Sequence, residues 1–254
     1  MEVFWLEQRQ QDVPSPTDWL SAGELGRLAC MRVPKRRQDW LLGRWTAKQA
    51  VAAFLGSPCD PAALASIEIL PAESGSPQAY LATKSAPVSI SLSHRNGRAA
   101  CAVAGSGVGI GCDLEVVEPR CDAFVSDYFT PQEQELVARV SPANRFRLLA
   151  LLWSAKESAL KKLRTGLRID TRSVAVNLAR NVAQVDRVLS LDARSCTKSW
   201  HPLRTIYSTE VYVGWWQRSG GMIRTLVTVP ASLPPYFLTP TADGGRHLAK
   251  ISDD

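Results

Sequence analysis

The chain has 254 residues, 45% of them apolar and 21% charged, with a formal charge of +6. This ordinary globular composition excludes disorder as the default state, and no run reaches the roughly 18 to 20 apolar residues that span a bilayer. The N-terminus shows no basic start followed by an apolar stretch, so a cytoplasmic protein without membrane partners is expected.

In residues 36 to 55, Leu41, Trp45, Lys48, Ala52 and Leu55 recur at helical spacing and Gly56 and Pro58 supply a stop. An amphipathic helix is predicted there. Residues 57 to 87 are broken by five prolines and read as loop, with short extended pieces at Ile67 to Leu70 and Tyr80-Leu81. From Val88 the period falls to two, with Val88, Ile90 and Leu92 on one face. Asn96-Gly97 then gives a hairpin signal before Ala99 to Ala104, and Gly105-Ser106-Gly107 leads into Val108 to Val117. Three consecutive strands in an antiparallel meander are the expectation. Thr130-Pro-Gln-Glu133 is a capping box and Ser141-Pro142 starts a helix that runs to about Leu163. Beyond Gly166, Ser173 to Leu178, Thr209 to Trp216 and Ile223 to Val229 read as strands. The order implies two α+β halves with a seam near residues 117 to 125, and no internal repeat stands out by identity. From about Thr239 a mobile tail is expected, because proline, glycine and charge replace periodicity.

The six cysteines form no C-x-x-C pair, which argues against a zinc site and, in a cytosol, against disulfides; they read as small buried hydrophobes. With three histidines in the chain, a metal here would be bound by oxygen. In Val108 to Val117, alternation places Asp113 and Glu115 on the same strand face as Gly109 and Gly111. Their Cα atoms would lie about 7 Å apart, close enough for one hard cation, and the glycines would leave room for a bulky ligand. Two solvated carboxylates on an exposed face are the plain alternative. In the following helix Trp153, Glu157 and Lys161 share a ridge, and by themselves Glu157 and Lys161 read equally as a surface ion pair.

Taken together these strings resemble the 4′-phosphopantetheinyl transferases, in particular the longer two-lobed type. That family carries Gly-x-Asp-x-Glu on a strand and Trp-x-x-Lys-Glu-x-x-x-Lys on a later helix. Here stand Gly111-Cys-Asp113-Leu-Glu115 and Trp153-Ser-Ala-Lys156-Glu157-Ser-Ala-Leu-Lys161, followed by Gly166-Leu167. Ser91-Leu-Ser93-His94 and Gly43-Arg44-Trp45-Thr-Ala-Lys48 are similar to two further family segments. The resemblance covers roughly residues 35 to 175. It departs at Gly75-Ser76-Pro77, where the family often has Gly-Lys-Pro; Lys84 or a basic residue near Arg36 would then replace the missing cation.

The resemblance implies an α+β fold of two pseudo-symmetric lobes, each a small antiparallel sheet packed with helices, with the active site at the lobe interface. The lobes are expected at residues 1–118 and 119–238, with a tail at 239–254. It implies transfer of the phosphopantetheine arm of coenzyme A to a serine of an acyl or peptidyl carrier protein, with 3′,5′-ADP leaving. Asp113, Glu115 and Glu157 would hold magnesium, with Glu157 or a metal-bound water as base and Lys161 on the phosphate charge. Ser93 and His94 would bind the adenosine-side phosphates, helped by Arg36, Arg37, Arg44 and Lys48. For His94 a backbone-bonded hairpin end is the plain alternative, and for Lys48 a side chain lying over the core edge. The positive charge would suit an acidic helical carrier protein. One chain with two lobes suffices as a monomer, and no nucleic acid is expected. A metal-dependent phosphohydrolase or a non-catalytic polyanion binder are the competing classes.

Overall fold

The computed structural model describes residues 1–178, 180–190, 199–239 and 247–248. In chain order the elements are β1 (Phe4–Arg9), α1 (Ala22–Ala29), α2 (Pro34–Leu55), α3 (Pro61–Ala65), β2 (Ile67–Pro71), β3 (Pro77–Leu81), β4 (Lys84–Ser85), β5 (Val88–Arg95) and β6 (Arg98–Gly105). There follow β7 (Gly109–Val116), α4 (Asp122–Tyr128), α5 (Pro131–Arg139), α6 (Pro142–Leu163), β8 (Val174–Asn177), α7 (Val182–Ser190), β9 (His201–Tyr207), β10 (Glu210–Ser219), β11 (Met222–Val229), β12 (Tyr236–Thr239) and β13 (His247–Leu248). The fold is α+β, as expected. None of the described helices is long and apolar enough to cross a membrane.

The chain divides into two compact units. The first comprises Glu2–Ile110 and Pro235–Asp254, the second Met1 and Gly111–Pro234. The division therefore falls inside β7, ahead of the cut after residue 118 read from the sequence, and the chain returns to its first unit after Pro234. Of the tail expected to be mobile, Thr239 ends β12 and His247–Leu248 pairs with it as β13; the other residues lie outside those described.

In the first unit, a five-stranded sheet of order β13-β12-β1-β6-β5 backs onto α2. Asn96 and Gly97 both have positive φ, which a two-residue hairpin turn requires, and they join β5 to β6 with Ser93 opposite Ala100. The predicted meander stops there. The other edge of β6 is taken by β1, whose Phe4 to Arg9 pair antiparallel with Val103 to Arg98. A strand at the N-terminus, short and with a mixed pattern, thus claims the edge that β7 was expected to fill. The proline-rich stretch read as loop also folds further than expected: β2, β3 and β4 form a small antiparallel sheet, with Pro71 and Pro77 facing each other at its end. Prolines at strand ends lose no ladder bond, so they punctuate this sheet without preventing it.

In the second unit, the order is β7-β11-β10-β9-β8, with α6 packed on β11 and β8. α6 begins at Pro142, where the missing N–H costs nothing, and its cap residue Arg164 is in the left-handed region. Leu148, Leu149, Leu151, Leu152, Ala155, Ala159 and Leu160 make it the apolar centre of this core.

The two units share a plan that the sequence reading passed over. α2 and α6 are each 22 residues long with proline at the start, and each carries Trp-Thr/Ser-Ala-Lys with the lysine at the fifteenth position. Each lysine is 0% exposed and meets a glutamate of a capping box: Lys48 pairs with Glu24, and Lys156 lies 2.9 Å from Glu133. Glu24 also accepts from the Ile69 amide at 3.1 Å, and Glu133 from the Val176 amide at 2.8 Å. One helix, one capping box and one strand are thereby tied together in each half. Because the repeat rests on four residues per helix, identity over the whole chain does not reveal it.

The cysteines are less uniform than expected. Cys101 and Cys112 are buried, Cys59 is half-buried, Cys30 and Cys121 are exposed, and Cys196 lies outside the described residues.

Candidate active site

Asp113 and Glu115 lie two apart on β7, so alternation sends both carboxylates to one face, where they are only 5% and 7% exposed. Gly111, two residues before Asp113, shares that face. A Cβ there would stand 1.9 Å from the Ser158 carbonyl oxygen and 2.6 Å from the Lys162 amide nitrogen. The sequence reading took this glycine as room for a ligand; the structure fills the room with the backbone of α6. The consequence is a close approach of helix to strand, which brings the Glu157 and Lys161 turns down beside Asp113. Ser154 and Ser158 fasten the helix from below through hydroxyl bonds with Thr225 on β11, at 2.9 and 2.7 Å.

Lys161 donates to Asp113 Oδ1 at 2.8 Å and to the Cys112 carbonyl at 3.0 Å. Burial works against its charge, but Asp113 and then Glu157 outweigh that penalty and the ammonium pKa is raised. The Glu157 carboxyl pKa is raised as well, first by burial and then by Asp113, with Lys161 opposing and Glu115 adding. Glu115 in turn accepts from Arg120 at 2.9 Å. The three carboxylates thus feel one another within one unit, and two basic side chains offset part of their charge.

Among the described residues no three histidine, cysteine or acidic side chains already stand as a cation cage. The donor set nevertheless suits a hard divalent ion. It is all carboxylate, Asp113 and Glu115 are largely withdrawn from water, and the Glu157 carboxyl, its pKa raised by burial and then by Asp113, stands in the same group.

The motif lysines divide their work. Lys161 faces the carboxylates, whereas Lys156 is sealed inside, bonded to the Thr171 and Val174 carbonyls besides Glu133. Lys48, expected at the coenzyme, is corrected in the same way: it donates to the Trp19 and Leu64 carbonyls at 2.9 and 3.1 Å and to Glu24, so no surface of it meets a ligand. Breaking such a buried pair by removing one partner costs about 3–5 kcal/mol.

Of the other residues expected to bind phosphate, Arg36, Arg44, Ser93 and His94 line one cleft of about 1020 Å³ in the first unit. Arg37 does not; its guanidinium donates to the Leu28 carbonyl at 3.2 Å and ties α2 to α1. Arg44 sits 4.9 Å over the Trp40 ring and 3.8 Å from Glu24, while its other face reaches the cleft. The sequence reading missed Arg27, Arg32 and Trp40, which line the same cleft. Arg27 lies in the last turns of α1 and Arg32 just beyond its end, and Lys84, on β4, is not among the lining residues. No periodic signal marks Arg27 or Arg32, and the fold of residues 27 to 44 alone brings them together.

Residues 109–211 match the model of the 4′-phosphopantetheinyl transferase superfamily. The matched stretch begins with β7 and contains Asp113, Glu115, Glu157 and Lys161. No curated protein matches the chain.

Proposed function

We propose, from the match of residues 109–211 to the model of the 4′-phosphopantetheinyl transferase superfamily, that this chain transfers the phosphopantetheine arm of coenzyme A to a serine of a carrier protein and releases 3′,5′-ADP. The observation that carries this reading is the association of Asp113, Glu157 and Lys161 across β7 and α6, fixed by the close packing at Gly111.

Magnesium would be held by Asp113, Glu115 and Glu157, and when bound it supplies positive charge to the pyrophosphate that is cleaved. The protein's own groups do the rest. Lys161, kept protonated by Asp113 and Glu157, offers a fixed ammonium to the phosphoryl group as its charge shifts towards the leaving oxygen. Glu157, held beside Asp113 by the close packing at Gly111, is the side chain proposed to take the proton of the attacking serine hydroxyl. Arg36, Arg44, Ser93 and His94 are the residues proposed for the phosphates at the adenosine end, with Arg27 and Arg32 added. An acidic carrier protein fits the overall charge of +6.

The test is intact-mass measurement of an apo carrier protein incubated with this protein, coenzyme A and magnesium. A gain of one phosphopantetheine that disappears with chelator is expected. Release of inorganic phosphate with no change in the carrier's mass would instead indicate a phosphohydrolase.

A further inference from the structure

After β7 the chain runs through Val117 and Glu118 to Arg120, whose guanidinium has no part in the chemistry above. Its Nη2 lies 2.9 Å from Glu115 Oε1 and 2.8 Å from Glu118 Oε1, so one nitrogen serves two carboxylates. These differ in depth: the Glu115 side chain is 9% exposed and that of Glu118 39%. The guanidinium carbon sits 5.0 Å above the ring of Phe124 on α4, and that ring meets Trp153 of α6 edge-on at 5.3 Å. Arg120 therefore rests on an aromatic base continuous with the helix that carries Glu157.

We infer that Arg120 is a displaceable counter-ion for Glu115, which covers the carboxylate in the metal-free protein, yields it to a divalent cation, and is retained by Glu118. This rests on the reading that Asp113, Glu115 and Glu157 hold that cation. Three features favour a movable partner over a fixed strut. The Arg120 side chain is 27% exposed while that of Glu115 is 9% exposed, so water can solvate the guanidinium when a cation takes its place on the carboxylate. The second carboxylate is already within bonding distance, so the guanidinium is not stranded when the first is withdrawn. The aromatic contact is indifferent to which carboxylate is engaged, because the ring attracts the cation as a whole. Lys161 differs on this point, being bonded also to the Cys112 carbonyl beneath it. Arg120 is accordingly a positioning residue that sets how tightly the metal binds, and Glu118 biases it the opposite way.

The experiment is titration of the full chain with Mn²⁺, without coenzyme A or carrier protein, following free Mn²⁺ by electron paramagnetic resonance. Removing a competitor of this kind in Arg120→Gln should tighten Mn²⁺ binding by about threefold, and Glu118→Gln, which leaves Arg120 on Glu115, should weaken it by about twofold. A purely structural arginine predicts the reverse for Arg120→Gln, since a loosened β7–α4 connection would weaken the site. Unchanged or weaker binding by a folded Arg120→Gln overturns the inference; if that variant does not fold, unchanged binding by Glu118→Gln overturns it. Absence of Mn²⁺ uptake by the wild type, indistinguishable from Asp113→Asn, overturns the cation reading itself.

Discussion

Glu157 carries the most informative charge in the molecule. Burial raises its pKa, Asp113 adds to the rise, and Lys161 only partly opposes it. A carboxyl whose pKa is higher in the folded than in the unfolded chain lends its full stability below the ordinary carboxylate range and loses it as pH climbs through the folded value. Near neutrality, without metal, ionised Glu157 therefore opposes folding. Glu157→Gln should then melt above the wild type at neutral pH in chelator, and the gap should close as the pH falls into the carboxylate range. Thermal melts across pH check this, and a gap independent of pH would contradict it. Lys48 shows the converse, a charge whose place is structural. Its spacing beside Trp45 was legible, but its partner Glu24 comes from a separate helix, and no reading of α2 alone shows that the ammonium is enclosed by the Trp19 and Leu64 carbonyls.

At the scale of elements, the site depends on how closely α6 can lie on β7. Gly111 sets that distance, because the atoms a side chain would strike belong to the backbone of Ser158 and Lys162 and cannot swing aside. Gly111→Ala should cost about 1–3 kcal/mol, the usual range for overpacking a core. A shift of the helix by about 1 Å should also lower kcat by about 100-fold, since reacting groups tolerate little displacement. Denaturant unfolding and steady-state kinetics on the same preparation check the two effects, and a stable, fully active variant would contradict the packing account. The helices with a proline in the first turn after a Ser or Thr, α5 and α6, were plain in the sequence, as were the β5–β6 hairpin and the alternation of β7. What was not legible was the partner of each strand. Periodicity tells which face of β7 is apolar, but its pairing beside β11 rather than β6 follows from β1 holding the edge of β6. Glycine as close approach rather than ligand space is likewise a fact of tertiary packing.

For the whole molecule, the repeat separates the motif residues that build the core from those proposed for chemistry. Trp45-Thr-Ala-Lys48 and Trp153-Ser-Ala-Lys156 build the same buried pair in both units, a structural device written twice. The halves diverge at the next positions: where α6 has Glu157 and Lys161, α2 has Gln49 and Ala53, both buried. The acids of the second unit were legible because a strand and a helix each presented them at regular spacing. The basic cleft of the first unit was legible only in part, since Arg27 and Arg32 belong to no pattern and are gathered by the turn between α1 and α2. The account as a whole stands on Asp113, the carboxylate in contact with Lys161 and in the field of Glu157. Its most direct test is intact-mass measurement of an apo carrier protein treated with coenzyme A, magnesium and either the wild type or Asp113→Asn. The wild type should convert the carrier to its phosphopantetheinylated form, and the variant, folded by circular dichroism, should leave it unmodified with a rate reduced by at least ~100-fold; equal conversion by both would contradict the account.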